Sequence, residues 1–287
     1  LPEVRCTNND EYGEALRNLF EQSIEDRIRC DFPVGAHLSG GLDSSGIGVI
    51  ASRMLQSRGQ QLTGFSWAPP PGNEPLNDER ALVEELRHTE DIPVHYTQTT
   101  FADGAAIRLR NIGKRQDAEF PHERYVRRQA GQAGVRTILS GWGGDELIAF
   151  NGRNSFAEML ITGQWQRLNR EVQAKAALDD GVPWKCFVGR AILPLLPGWM
   201  LGRDHWRAGQ RFRGRPPGWF VPEFQTQIDN ALPLASLPGH AIRTRTNQLA
   251  LWQRGHLTQR IEGWAAGGGR CGITYAYPSL DRRVVEF

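Results

Sequence analysis

"VGAHLSGGLDSSGIGVIASRML", Val34 to Leu55, decides the fold of this chain. Val34–Leu38 is a short apolar run and reads as a buried strand, while "SSGIGVIASRML" reads as a helix. Between them lie two glycines, an aspartate and serines. Successive backbone N–H groups around Gly40 and Gly41 can converge on an anion, and the following helix adds its positive end. Ser39, Ser44 and Ser45 offer hydroxyls to phosphate oxygens. Asp43 repels a bare phosphate, so its presence implies a bridging divalent cation. The plainer alternative is a capped strand-to-helix turn, because Asp and Ser are good N-caps. The stretch lacks the Gly-Lys-Ser/Thr ending of a Walker A loop and is not a GxGxxG dinucleotide turn.

Working outward, "NDEYGEALRNLFEQSIEDRIRCD" opens on an Asn/Asp cap and carries Leu16, Leu19, Phe20, Ile24 and Ile28 at helical spacing. "QLTGFSWA", "IPVHYTQ" and "VRTILS" read as strands; "DERALVEELRH", "ADGAAIRLRNI" and "ERYVRRQAGQAG" read as helices. "PPPGNEP" is a loop. Such alternation predicts a parallel sheet covered on both faces, a doubly wound α/β fold. Ligands in these sheets lie beyond the carboxyl ends of the strands, near the reversal of strand order. Ser39–Ser45 and a second glycine-rich turn, "SGWGGDEL" (Ser140–Leu147), both fall at that edge. Gly141, Gly143 and Gly144 permit close approach of the chain to a ligand, and Asp145 adds a second carboxylate. Asp43 and Asp145 together are expected to grip one Mg²⁺. Asp145 or Glu146 as a helix cap is the alternative.

After residue 150 the strand pattern stops. "NSFAEMLITGQWQRLNREVQAKAAL" and "HAIRTRTNQLALWQRGHLTQRIEGWAA" read as helices between proline-punctuated, Trp-rich segments. The predicted organisation is a lead-in helix (1–33), a nucleotide-binding core (34–150) and a mainly helical region on the acceptor side (151–287). "GWAAGGGRCG" reads as a mobile connector beside the acceptor site rather than another phosphate loop, since no strand precedes it. His122 and Glu123 read as a capped helix start, with a base pair near the acceptor as the alternative.

The bulk properties narrow the class. Among 287 residues, 39% are hydrophobic and 23% charged, as in globular proteins. No apolar run approaches the ~20 residues of a membrane helix. Cys6, Cys30, Cys186 and Cys271 show no CxxC spacing, which points away from metal and disulfide frameworks and toward a cytoplasmic setting. A net charge of +2 gives little electrostatic case for nucleic acid. "RDHWRAGQRFRGRPPGW" (Arg203–Trp219) is the one stretch that mixes arginine with aromatics as RNA-binding surfaces do.

The two turns together resemble a known family. "LSGGLDSS" is similar to the pyrophosphate (PP-loop) signature of N-type ATP pyrophosphatases. With "LSGWGGDEL" and the closing "CGITYAYPSLDRRVVEF", it resembles the synthetase domain of asparagine synthetase B, the β-lactam synthetases and the lasso-peptide macrocyclases. The resemblance implies an adenine nucleotide alpha hydrolase-like fold and an ATP site. Leu38, Ser39, Gly40, Gly41, Asp43 and Ser44 would then hold the phosphates, and Trp67 would match the adenine-contacting position. Ser140 and Gly141 would touch the nucleotide from the second turn, with Asp43 and Asp145 on Mg²⁺. The implied reaction adenylates a small-molecule or peptide carboxylate, releases pyrophosphate and passes the acyl group to an amine.

Departures shape the expectation. Asparagine synthetases of this type carry a glutaminase domain that opens on a nucleophilic cysteine, whereas this chain opens on Leu1. They place Glu where Trp142 stands, and β-lactam synthetases place Tyr; indole donates a hydrogen bond but accepts no proton. Trp142 is therefore expected to wall the acceptor pocket rather than act as base. The family's catalytic lysine lies beyond the "LD" segment; Lys114, Lys175 and Lys185 do not replace it. The chain reads as a piece of a longer synthetase, with a separate or upstream glutaminase as a conceivable partner. These features favour a specialised closure such as lasso-peptide cyclisation over asparagine synthesis. A tRNA-modifying adenylating enzyme or an inactive ATP-binding protein are the remaining alternatives.

Overall fold

The structure is a computed structural model that describes residue 4 and residues 6–67, 79–97, 121–148, 154–178, 181–196, 243–246, 248 and 255–287. "PPPGNEP", "ADGAAIRLRNI" and Arg203–Trp219 lie outside the described residues. The chain divides into two compact units, Leu1–Phe150 with Gly255–Phe287, and Asn151–Arg254.

In the first unit, α1 (Asn9–Ile28) is capped by Asn8, whose side chain accepts the Glu11 N–H at 2.9 Å. There follow β1 (Val34–His37), α2 (Leu42–Gln56), β2 (Thr63–Ser66), α3 (Arg80–Thr89), β3 (Val94–Tyr96), α4 (Pro121–Gln132) and β4 (Thr137–Leu139). With a late strand, β5 (Thr274–Ala276), the five strands are all parallel in the order β3-β2-β1-β4-β5, so the order reverses between β1 and β4. Side chains alternate along each strand and feed two cores. Val34, Ala36, Leu38 and Leu139 pack with Ile24, Ile28, Ile47, Ala51 and Leu55 from α1 and α2. Phe65 and Ile138 pack with Val126 and Ala130 of α4 and with Trp264 on the other side. Each fully buried aliphatic contributes about 2 kcal/mol, so strands of three or four residues are held mainly by their two covered faces. α1 shares the first core rather than merely leading into it.

The closing segment departs from the pattern read in the sequence. α8 (His256–Gly269) begins after Gly255, at φ 70°, and is followed by β5 (Thr274–Ala276), which pairs with β4. The glycines of "GWAAGGG" are helical, not a connector. A Cβ on Gly267 would lie 2.0 Å from the Arg127 guanidinium, and one on Gly268 would lie 2.5 Å from the Ile273 carbonyl oxygen. Their bareness lets the helix end press against α4 and β5. The final helix, α9 (Arg282–Glu286), is capped by Asp281.

Asp281 also joins the tail to α1. Its carboxylate accepts bonds from Arg283 Nε at 2.9 Å and from Arg27 Nη1 at 2.7 Å, while Ser23 Oγ donates to the Pro278 carbonyl at 3.0 Å. The Arg283 hydrogen bond, with that of Arg27, holds the Asp281 carboxyl far below its usual range despite burial. A depressed folded pKa means that the stabilisation is complete above the unfolded value of about 3.9 and is lost as pH falls through the folded one. Asp281→Asn should therefore lower the urea midpoint near neutrality and flatten its decline as pH falls below about 4. An unchanged acid slope would show that the cluster contributes nothing.

The second unit contains α5 (Ser155–Ile161), α6 (Trp165–Leu178) and α7 (Pro183–Phe187) around Met159, Leu168, Val172 and Ala191. The single helix read from the sequence is two, because Gly163 turns the chain at φ 73°. Among the described residues, no helix is long and apolar enough to cross a membrane.

Candidate active site

The first turn leaves β1 at the sheet's carboxyl edge. Leu38 donates its N–H to the Phe65 carbonyl at 2.8 Å and buries its side chain in the first core, so only its backbone can face a ligand. Gly40 adopts φ 83°, and a Cβ there would lie 2.9 Å from the Glu79 carbonyl oxygen. Ser39 Oγ accepts the Gly41 N–H at 3.2 Å and lies 2.9 Å from Ser44 Oγ. Ser44 Oγ in turn accepts the Ser39 N–H at 3.1 Å. The turn is thus held by its own hydroxyls. Gly41, the N-cap of α2, supplies no side-chain capping bond, which leaves the positive helix end to an external anion.

The second turn leaves β4 next door. Ser140 donates its N–H to the Ala276 carbonyl at 2.9 Å, and its Oγ accepts the Trp142 N–H at 3.2 Å. Gly143, at φ 100°, donates to Glu146 Oε2 at 3.0 Å, and a π-helical turn follows over Gly144–Ile148. The two turns touch through glycine. A Cβ on Gly141 would lie 2.9 Å from the Ser44 nitrogen, and one on Gly144 would lie 2.2 Å from the Asp43 carboxyl carbon. This approach places Asp43 against the second turn, where the Asp145 N–H donates to it. Burial and then the Asp145 charge push the Asp43 carboxyl upward.

Two neighbouring carboxylates that repel one another fit a hard divalent cation. Among the described residues no third His, Cys, Asp or Glu joins them. The remaining oxygens would have to come from a bound ligand or water, as Mg²⁺ prefers. The expected ligands Asp43 and Asp145 are brought together; Ser39, Gly40, Gly41, Ser44, Ser140 and Gly141 surround the same junction.

Trp67 lies just past β2, 38% exposed, but its indole is committed. Its Nε1 donates to Glu123 at 3.1 Å, and its ring lies 5.1 Å from that of His37. Glu123, on α4, is wholly buried and takes His37 Nε2 at 3.2 Å and the Tyr275 hydroxyl as well. Arg127 Nε donates to the Tyr275 oxygen at 2.9 Å. Burial pushes the Glu123 carboxyl up, but His37, the Tyr275 hydroxyl and Arg127 more than offset it and hold it below its usual range. A sealed, ionised carboxylate with these partners cannot serve an acceptor amine as base. His122 is half-buried.

Trp142 is half-buried at the margin of the second core. The Arg260 guanidinium lies 4.2 Å above its ring centre and 5.8 Å from that of Trp264. His37, Arg260, Trp264 and Tyr277 escaped the sequence reading. Arg260 and Trp264 carry an i, i+4 spacing that places them on one helix face. Nothing local, however, indicated which face meets the site.

The asparagine synthase family model matches residues 15–287, beginning inside α1 and running to the last residue. The chain is 27% identical over 206 residues to asparagine synthetase [glutamine-hydrolyzing] 1 of Bacillus subtilis, spanning 66% of this chain and 30% of that protein. It is 30% identical over 154 residues to asparagine synthetase [glutamine-hydrolyzing] 2 of Arabidopsis thaliana, spanning 46% and 24%. The matches thus cover about a quarter to a third of these relatives' length. Among solved structures, the NH3-dependent NAD synthetase of Campylobacter jejuni superposes with a TM-score of 0.33 at 11% identity, over 73% of this chain and 99% of that one. The NAD+ synthetase of Burkholderia pseudomallei gives 0.30 at 12% identity, over 47% and 65%. The fold rests on the parallel sheet and its strand order; the extent of the family match settles the lineage. This chain belongs to the asparagine synthase family.

Proposed function

We propose that this chain is the synthetase domain of an ATP-dependent, amide-forming ligase that works through an acyl-adenylate. The observation that carries the reading is the glycine contact that seats Asp43 against the second turn. It joins an uncapped helix end, two carboxylates and two serine hydroxyls at the strand-order reversal. The amides of Gly40–Asp43 and the hydroxyls of Ser39 and Ser44 bind the phosphates. Asp43 and Asp145 would hold Mg²⁺, which would neutralise charge building on the departing pyrophosphate. The substrate carboxylate attacks the α-phosphorus and pyrophosphate leaves. The neutral amine then attacks the acyl carbon, the acyl–phosphate bond breaks as AMP leaves, and the amine's proton passes to the departing phosphate or to solvent.

The acceptor side favours a bulky, specialised closure such as lasso-peptide cyclisation. Trp142 offers an apolar wall, and no proton acceptor, where asparagine synthetases carry Glu. A second reading, asparagine synthesis from aspartate with ammonia from a glutaminase, draws support from the glutamine-hydrolysing relatives. Full-length enzyme given ATP, Mg²⁺ and its substrates should yield AMP and pyrophosphate; ADP and phosphate would overturn the mechanism. Asparagine as the sole amide product would select the second reading.

Trp142 gives a further expected result. Indole can exclude water from the acyl-adenylate. Trp142→Ala should leave ATP affinity nearly intact while raising the ratio of AMP released to amide formed. Normal coupling in that variant, or simple unfolding, would remove Trp142 from the pocket.

A further inference from the structure

The aromatic cluster behind the second turn holds more polar atoms than partners. Trp264 Nε1, Tyr277 Oη and His37 Nδ1 are enclosed without a hydrogen-bond partner. Their residues are only 2%, 9% and 8% exposed. An unpaired buried donor costs about 1–3 kcal/mol, and folded proteins pair nearly all of them. These three lie in one contiguous patch: the Trp264 ring centre lies 5.3 Å from that of His37 and 6.5 Å from that of Tyr277. Because the Glu123 carboxylate only accepts, His37 Nε2 must carry the hydrogen between them, which leaves Nδ1 turned to the cluster.

We infer that Arg260, Trp264 and Tyr277 form a subsite for a carboxylate group of the acyl donor, an inference that rests on the amide-forming reading. The donor set selects the ligand. Indole and guanidinium only donate, and the guanidinium fork matches a planar carboxylate in two parallel bonds. Arg260 is half-buried, and burial depresses its charged form more than Glu146 and Tyr277 restore it. Burial also pushes the Tyr277 hydroxyl up, so it stays protonated and able to donate. Glu146, whose Oε2 takes the Gly143 N–H, is near enough to favour the charged form of Arg260. Position agrees with chemistry. The Arg260 stack on Trp142 sets the subsite beside the turn that carries Asp145, where the acyl donor must approach the nucleotide. Phosphate is accounted for at the first turn.

The test uses the full chain with ¹⁵N-labelled indoles, the Trp264 Nε1–H signal being identified by Trp264→Phe. Calorimetry with Mg²⁺-ATP first reports on the nucleotide site alone. Succinate, L-aspartate and L-glutamate are then titrated, with succinamide and inorganic phosphate as comparisons. A saturable shift of the Trp264 signal with a carboxylate, absent with succinamide, is the expected result. Arg260→Gln should weaken that binding at least about tenfold and Tyr277→Phe about fivefold, with Arg260→Lys between them and ATP affinity unchanged. No shift with any carboxylate overturns the subsite, as does a shift indifferent to Arg260→Gln and Arg260→Lys. A saturable shift with phosphate alone reassigns the patch to the nucleotide and also overturns it. Carboxylate binding in a protein that fails to bind Mg²⁺-ATP leaves the subsite standing and removes the proposed reaction instead.

Discussion

Asp43→Asn and Asp145→Asn are each expected to lower Mg²⁺-ATP affinity on the order of 100-fold, because a lost charged ligand costs about 3 kcal/mol. The fold should not suffer. Burial and the Asp145 charge already disfavour the ionised Asp43 carboxyl, so neutralising either residue relieves repulsion at the junction. Thermal stability should stay level or rise while calorimetric binding collapses. This opposition separates a ligand-holding pair from a structural one. Had the carboxylates served only as helix caps, asparagine, an equally good cap, would leave both stability and nucleotide affinity near those of the parent. Parent-like binding by both variants would dispose of the shared-cation site.

The second large effect belongs to Glu123. Its carboxylate takes bonds from His37, Trp67 and Tyr275 in a fully enclosed position. Glu123→Leu would strand all three donors, and breaking a buried charged pair costs about 3–5 kcal/mol. A urea titration should show that loss, with Glu123→Gln less damaging because its carbonyl can still accept the Trp67 N–H. The pH dependence has a definite sign. Glu123 has a lowered folded pKa, so its contribution is present above the unfolded value of about 4.3 and disappears as pH falls through the folded one. A loss under about 1 kcal/mol for the leucine variant would mean that the network is dispensable.

The strand-turn-helix of Val34–Leu55 was legible because its signals are local. A short apolar run, bare glycines and a helical stripe each act within a few residues. The second turn was legible for the same reason, and strand-helix alternation implied that both turns would share one edge. Asp43 and Asp145 were therefore identifiable before any packing was known. β5 was not legible, because Thr-Tyr-Ala lacks the Ile-Leu pair that marked the equally short β4 and owes its strand to pairing with β4. The glycines of α8 misled for a related reason. Glycine weakens a helix locally, yet these permit contact with Arg127 and the Ile273 carbonyl. Glu123 illustrates the limit most clearly. Its place at a helix start suggested a cap or an exposed base, whereas its role comes from side chains on β1, β5 and the end of β2 that meet it only in the folded protein.

By itself, then, the sequence determined the fold class, the two glycine-rich turns and the family, since periodicity, backbone freedom and short motifs are properties of neighbouring residues. Only the tertiary structure decided that Gly144 presses on Asp43, that Glu123 is sealed and ionised, and that Arg260 lies on Trp142. Those facts depend on distances between strands and helices far apart in the chain, and on the burial that sets the cost of every unpaired charge.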